Sequence, residues 1–191
     1  MTFKPAPFDV VEASRRVWVD RWGESAASGV AVFTAILRSY QMLNHQVSEV
    51  MQAHGLTFPR YEVLTWLEIE PDSALTLSWI SSVLRIPPAT VTNLIDRLEA
   101  DGHVRRVPHP TDARTTLAEI TAAGRAVTAA ATDDLRSRVY EPLGLEADER
   151  DRVIGLLAGL RAHHDEFDTE RSDLLIKKID TRRSDLRGDH P

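Results

Sequence analysis

A chain of 191 residues, 42% hydrophobic and 27% charged, has room for one proper core and the balance of a soluble globular protein. Its formal net charge of −6 argues against a protein that coats nucleic acid indiscriminately, which needs an excess of Lys and Arg, yet it is compatible with a local basic face. The chain has no cysteine, which removes disulfides, zinc thiolates and thiol switches together, and no apolar run approaches the roughly 18 residues of a membrane span.

At the N-terminus, Lys4, Asp9, Glu12, Arg15 and Arg16 interrupt the apolar residues, unlike a secretory signal, so a cytoplasmic location is expected. From Ala27 to Ala53, Val30, Phe33, Leu37, Tyr40, Val47 and Met51 recur at the spacing of one helix face, which predicts a long amphipathic helix ended by Gly55. A second helix is expected from Phe58 to Glu68, with Pro59 suited to its first turn and Tyr61, Val63, Leu64, Trp66 and Leu67 as its apolar surface.

The segment from Leu75 to Ile120 is the informative one. Thr76 is placed to cap a short helix, Leu77 to Leu84, which Arg85-Ile86-Pro87 breaks, because proline lacks a donor and restricts its predecessor. The next helix runs from Pro88 to Ala100, with Val91, Leu94, Ile95 and Leu98 inward and Thr90, Thr92, Asn93, Asp96 and Arg97 outward, and Asp101-Gly102 closes it. Two short helices joined by a tight turn, the second with a polar outer face, form the helix-turn-helix pattern. Two strands follow, Val104 to Val107 and Thr115 to Ile120, flanking the loop Pro108-His109-Pro110-Thr111-Asp112-Ala113-Arg114, which reads as a wing able to place arginine in a minor groove.

On Thr90-Val91-Thr92-Asn93-Leu94-Ile95-Asp96-Arg97-Leu98-Glu99-Ala100-Asp101-Gly102, on Arg106, Pro110, Asp112 and Arg114, and on Ile120-Thr121-Ala122-Ala123-Gly124-Arg125, the chain resembles the MarR family of transcriptional regulators. The strong match spans Leu56 to Arg125. The family's wing commonly carries Asp-Arg-Arg; here Asp112-Ala113-Arg114 lacks the middle arginine and with it one phosphate or minor-groove contact.

The expected fold is therefore mainly α with a small β-hairpin wing: a winged helix-turn-helix domain with N- and C-terminal dimerisation helices. Its divisions are an N-terminal extension and dimerisation helix over 1–55, a DNA-binding domain over 56–125, C-terminal dimerisation helices over 126–163 and a charged tail over 164–191. Double-stranded DNA is the expected partner, held by Pro88, Thr90, Thr92, Asn93, Arg97, Arg106, His109 and Arg114, with Asp112 structuring the wing. Arg97 has an alternative in pairing with Asp96, Glu99 or Asp101, and of Arg105 and Arg106, on opposite faces of a strand, at most one is expected to face DNA. A homodimer would bind a pseudo-palindromic operator, its interface built from the helix Ala27 to Ala53 and a C-terminal helix near Asp148 to His163, where Val153, Leu156, Leu157 and Leu160 form an apolar stripe. The alternative is that this stripe packs within one chain. Family resemblance favours repression.

The stretch Phe8 to Gly23, with Arg15, Arg16, Trp18 and Trp22, resembles the extra first helix of the family's urate-responsive branch, which holds an anion with a Trp, an Asp and two Arg. Trp18 or Trp22 and Arg106 fit that set, but Glu62 stands for the Asp and Leu94 for the second Arg, which argues against urate itself. A small aromatic or carboxylate effector, touching Trp18, Trp22 and Glu62 between the arms and the reading head, is the expectation; packing of both Trp in a core or interface is the alternative. The seven His are scattered, without the convergent constellation of an enzyme or metal site, and no cofactor is expected. The rival reading is a winged helix that binds protein without specific DNA recognition.

Overall fold

The computed structural model describes residues 6–70, 74–112 and 114–164. They divide into one unit ending at Pro142 and a second beginning at Leu143. The expected tail lies, beyond His164, outside the described residues.

Helix α1 (Val10–Ala53) starts at Asp9, whose carboxylate accepts hydrogen bonds from the Val11 and Glu12 amides at 2.9 and 3.3 Å. It is two helical stretches in sequence, because Gly23 takes φ 82° and ψ 170°, a conformation strongly disfavoured for a residue with a Cβ. The expected extension and long helix thus exist on either side of a glycine break. In the long stretch, Val47, Val50 and Met51 are buried in the core, whereas Phe33, Leu37 and Tyr40 of the same apolar series are exposed.

A turn at Gly55 (φ 67°) leads into α2 (Phe58–Ile69), which buries Tyr61, Val63, Leu64 and Leu67. Helix α3 (Leu77–Leu84) is capped as expected, the Trp79 amide donating to Thr76 Oγ1 at 3.1 Å. Its end has a second cause beside Pro87: Arg85 adopts the left-handed conformation, φ 52° and ψ 41°, which turns the chain into α4 (Pro88–Ala100). Val91, Ile95 and Leu98 of α4 are fully buried, and Gly102, at φ 75°, reverses the chain after it. Truncating Ile95 or Leu98 to alanine in such a core costs about 2 to 5 kcal/mol.

The wing differs from the expected hairpin. Strands β2 (Val104–Pro108) and β3 (Thr116–Ile120) pair antiparallel with Val104 opposite Ile120, and a third strand, β1 (Ala74–Thr76), adds to the other edge of β3 with Leu75 opposite Ala118. This three-stranded sheet turns Leu75, Val104, Ala118 and Ile120 into the core beneath α4. Helix α5 (Ala122–Leu135), capped by Thr121, runs on into a π-helical turn, Arg136–Tyr140. It is tied to the end of α1 by His54, whose Nε2 lies 2.8 Å from Asp134 Oδ2, and to α2 by the Tyr61 and Thr132 hydroxyls at 2.9 Å.

In the second unit, α6 (Ala147–His163) opens with a capping box between Glu146 and Glu149. No α6 residue is buried, and the apolar stripe is open, with Leu156 at 76% exposure.

Candidate nucleic-acid interface

Helix α4 presents two faces fixed by the 3.6-residue repeat. With Val91, Ile95 and Leu98 anchored in the core, Pro88, Thr90, Thr92, Asn93, Asp96 and Arg97 are left exposed on the other side. Thr92 donates its hydroxyl back to Pro88 O at 3.1 Å, leaving its methyl group and an oxygen lone pair outward. Arg97 makes no ion pair among the described residues, so the alternative that Asp96, Glu99 or Asp101 consumes its charge does not hold in this conformation.

The wing loop is tied by short-range hydrogen bonds. Asp112 accepts from the Arg114 amide at 3.0 Å and the Thr115 hydroxyl at 2.7 Å, while the Thr115 amide donates to Asp112 O at 3.0 Å. The Thr115 hydroxyl, then the Arg114 amide, hold the Asp112 carboxyl below its ordinary pKa, with a smaller contribution from His109. The Thr111 amide donates to His109 Nδ1 at 3.3 Å. This geometry supports a structuring role for Asp112 and gives His109 one as well. Arg114 is exposed with its guanidinium in no ion pair among the described residues, on the wing adjoining α4.

The two arginines of β2 are both engaged. Arg105 forms a fork with Glu119 across the strands, at 3.0 and 2.8 Å, which holds the Glu119 carboxyl below its usual range. Arg106 points the other way, to α4: its guanidinium bonds Asp96 Oδ1 at 2.6 Å and the Glu99 carboxylate, which also accepts the Arg106 amide at 3.1 Å. Arg106, expected as a DNA contact, therefore serves in this conformation as a clamp between the recognition helix and the wing. Sequence reasoning missed the clamp, though Asp96 and Glu99 one turn apart on the outer face of a helix held its signal.

A family model described as MarR family matches residues 54–115. The crystal structure of Sco5413, a MarR family transcriptional regulator from Streptomyces coelicolor, is 37% identical with a TM-score of 0.66, over 74% of this chain and 98% of that one. The chain belongs to the MarR family. The HTH-type transcriptional regulator TtmR of Methylorubrum extorquens is 36% identical over 108 residues, 56% of this chain and 54% of TtmR. The chain thus spans about half the length of that curated relative. A mutant MarR from E. coli, solved in complex with operator DNA, shares the winged-helix fold at 24% identity and a TM-score of 0.62, over 68% of this chain and 92% of that one.

The expected effector residues separate into the pair Trp18 and Trp22 on the one hand and Glu62 on the other. Trp18 and Trp22 pack together with centroids 4.5 Å apart and planes tilted by 37°, and Arg21 lies 5.0 Å over the Trp22 ring. Glu62 is half-buried on α2, where burial raises its carboxyl pKa, and its charge in turn helps raise the Tyr140 phenol, behind burial and Tyr61. No hydrogen bond, ion pair or ring contact joins Glu62 to the two tryptophans among the described residues. The raised carboxyl has a consequence for stability: the folded chain holds this proton more tightly than the unfolded one, so Glu62 weakens the fold as pH rises through its folded pKa. Glu62→Gln is therefore expected to melt higher than the parent at pH 7, with the gap closing on acidification below the ordinary carboxylate range; equal melting at both pH values would contradict this.

Proposed function

We propose that this MarR-family protein is a homodimeric, sequence-specific DNA-binding transcriptional regulator, a ligand-responsive repressor that reads a pseudo-palindromic operator in the cytoplasm. The observation that carries the reading is the open outer face of α4, with Thr90, Thr92, Asn93 and Arg97 exposed beside the uncommitted Arg114 of a preformed wing. Hydroxyl and amide groups on a helix suit base edges and phosphates in a major groove, and a wing arginine suits the adjacent minor groove. The E. coli MarR complex with operator DNA adds support by its likeness of fold.

The dimer reading rests on apolar surface that a lone chain leaves in water. Phe33 at 66%, Tyr40 at 62% and Val32 on α1 are exposed, and so, in the second unit, are Val153, Ile154, Leu157 and Leu160 of α6. Exposed apolar surface of this kind marks an interface, and twofold symmetry would bring two reading heads to half-sites one helical turn apart. For the effector, an aromatic compound remains the proposal. The half-buried Glu62, with no hydrogen bond or ion pair among the described residues, favours a donor group on that ligand over a carboxylate.

Fluorescence anisotropy of the protein against the intergenic DNA beside its own gene, with a scrambled duplex and a salt series, tests the reading. Salt-sensitive binding that prefers the native duplex is expected, and Arg114→Ala should weaken it about tenfold and reduce the salt slope by roughly one phosphate equivalent. Equal weak binding to both duplexes would move the assignment to a protein-binding module.

A further inference from the structure

We infer that Arg60, on α2 and largely buried, is the positioning residue that fixes the C-terminal end of the recognition helix against the corner between α1 and α2. The inference rests on the DNA-reading function proposed above and assigns part of its geometry to one side chain. Arg60 is only 14% exposed, and its guanidinium is used on three sides. Nη1 bonds Asp101 Oδ2 at 2.8 Å, Nη2 donates to Gly55 O at 3.0 Å, and Nε reaches Thr57 Oγ1 at 3.4 Å.

These partners are the terminal points of elements that must move together. Asp101 is the last residue before α4 reverses at Gly102, and its amide still bonds Arg97 O at 3.0 Å. Gly55 is the left-handed residue that turns α1 into α2, its amide bonded to Gln52 O at 3.1 Å. A planar guanidinium offers a fixed fork of donors, so bonding a carbonyl on one element and a carboxylate on another sets the distance and the angle between them. A lysine, with one point of charge on a flexible stem, sets neither. In a dimer whose arms include α1, the spacing of the two recognition helices is thus transmitted through Arg60, which makes half-site spacing its natural readout.

The test uses the full-length protein and two substitutions, Arg60→Lys and Asp101→Asn, measured by anisotropy on the native operator and on one with a base pair inserted between the half-sites. Each variant should keep the helical circular dichroism of the parent, bind the native operator about tenfold more weakly with an unchanged salt slope, and lose most of the parent's preference for native spacing. Asp101→Asn keeps Arg60 and its bonds to Gly55 and Thr57, so it remains informative if substitution at Arg60 impairs folding. The double variant should be little worse than either single one, since both break the same bridge. A salt slope shallower by about one in a further, charge-removing variant, Arg60→Gln, would make Arg60 a phosphate contact and overturn the inference, as would an unchanged spacing preference in Asp101→Asn. A parent protein that ignores operator sequence would instead fail the DNA-reading proposal itself.

Discussion

Gly124→Ala is expected to destabilise the protein by about 3 kcal/mol and to lower its melting temperature by roughly 10 °C. Helix propensity alone predicts the opposite sign, since alanine is better than glycine in a helix by about 1 kcal/mol. The structure reverses it through close approach: a Cβ at Gly124 would stand 2.2 Å from His103 O and 2.8 Å from Ile120 Cγ1. The first of these is backbone, and it accepts the Thr121 amide at 3.0 Å, while the Thr121 hydroxyl donates to Gly102 O at 2.8 Å. The N-terminus of α5 is thus bolted to Gly102 and His103, just beyond the recognition helix, and neither side can withdraw without losing hydrogen bonds. Thermal denaturation decides the matter; a melting point equal to or above the parent's would show that α5 can shift freely. Operator affinity of the variant should fall at temperatures where it is still folded, because the displaced segment begins at the end of α4.

Arg106→Ala should lower operator affinity about 100-fold while changing stability by about 1 kcal/mol or less. The small stability effect follows from exposure, since Asp96 and Glu99 are 54% and 40% open to solvent and their pairing with Arg106 is screened. The binding effect follows from where the carboxylates stand. With Arg106 present, one positive charge offsets two negative ones at the outer edge of α4; without it, both face the phosphates, and the wing keeps only the backbone bond to Glu99 as a polar tether to the helix. Adding Asp96→Ala and Glu99→Ala to the variant should recover much of the affinity. If it recovers none, Arg106 leaves its clamp and contacts DNA directly in the complex.

Much of the fold was legible because its signals are local. The buried faces of α2 and α4, the Thr76 cap and the Gly102 reversal all depend on residues within a turn or two of one another, and each stands where the sequence placed it. Strand β1 was not legible: so short a strand carries no usable alternation, and its partner, β3, begins only at Thr116, with two helices and a strand between. The candidate interface divides the same way. Exposure of Thr90, Thr92, Asn93 and Arg97 follows from periodicity, whereas the engagement of Arg105 by Glu119 and of Arg106 by Asp96 and Glu99 is decided by strand register and by the distance of β2 from α4. Arg60 shows the limit most plainly. In sequence it is a cation near a helix start, and only the fold brings Asp101 to it.

The self-contained wing has a consequence for how this protein changes over time. Among the described residues of the loop, the Thr111 and Arg114 amides are held by His109 and Asp112, while Pro110 and the Arg114 side chain face solvent. A loop already ordered before encounter loses little freedom when it docks, so its substitutions alter affinity without first having to fold it. New binding preferences can therefore be sampled at the tip by single steps, each tolerated by the scaffold, while Asp112 keeps the shape in which they are tried.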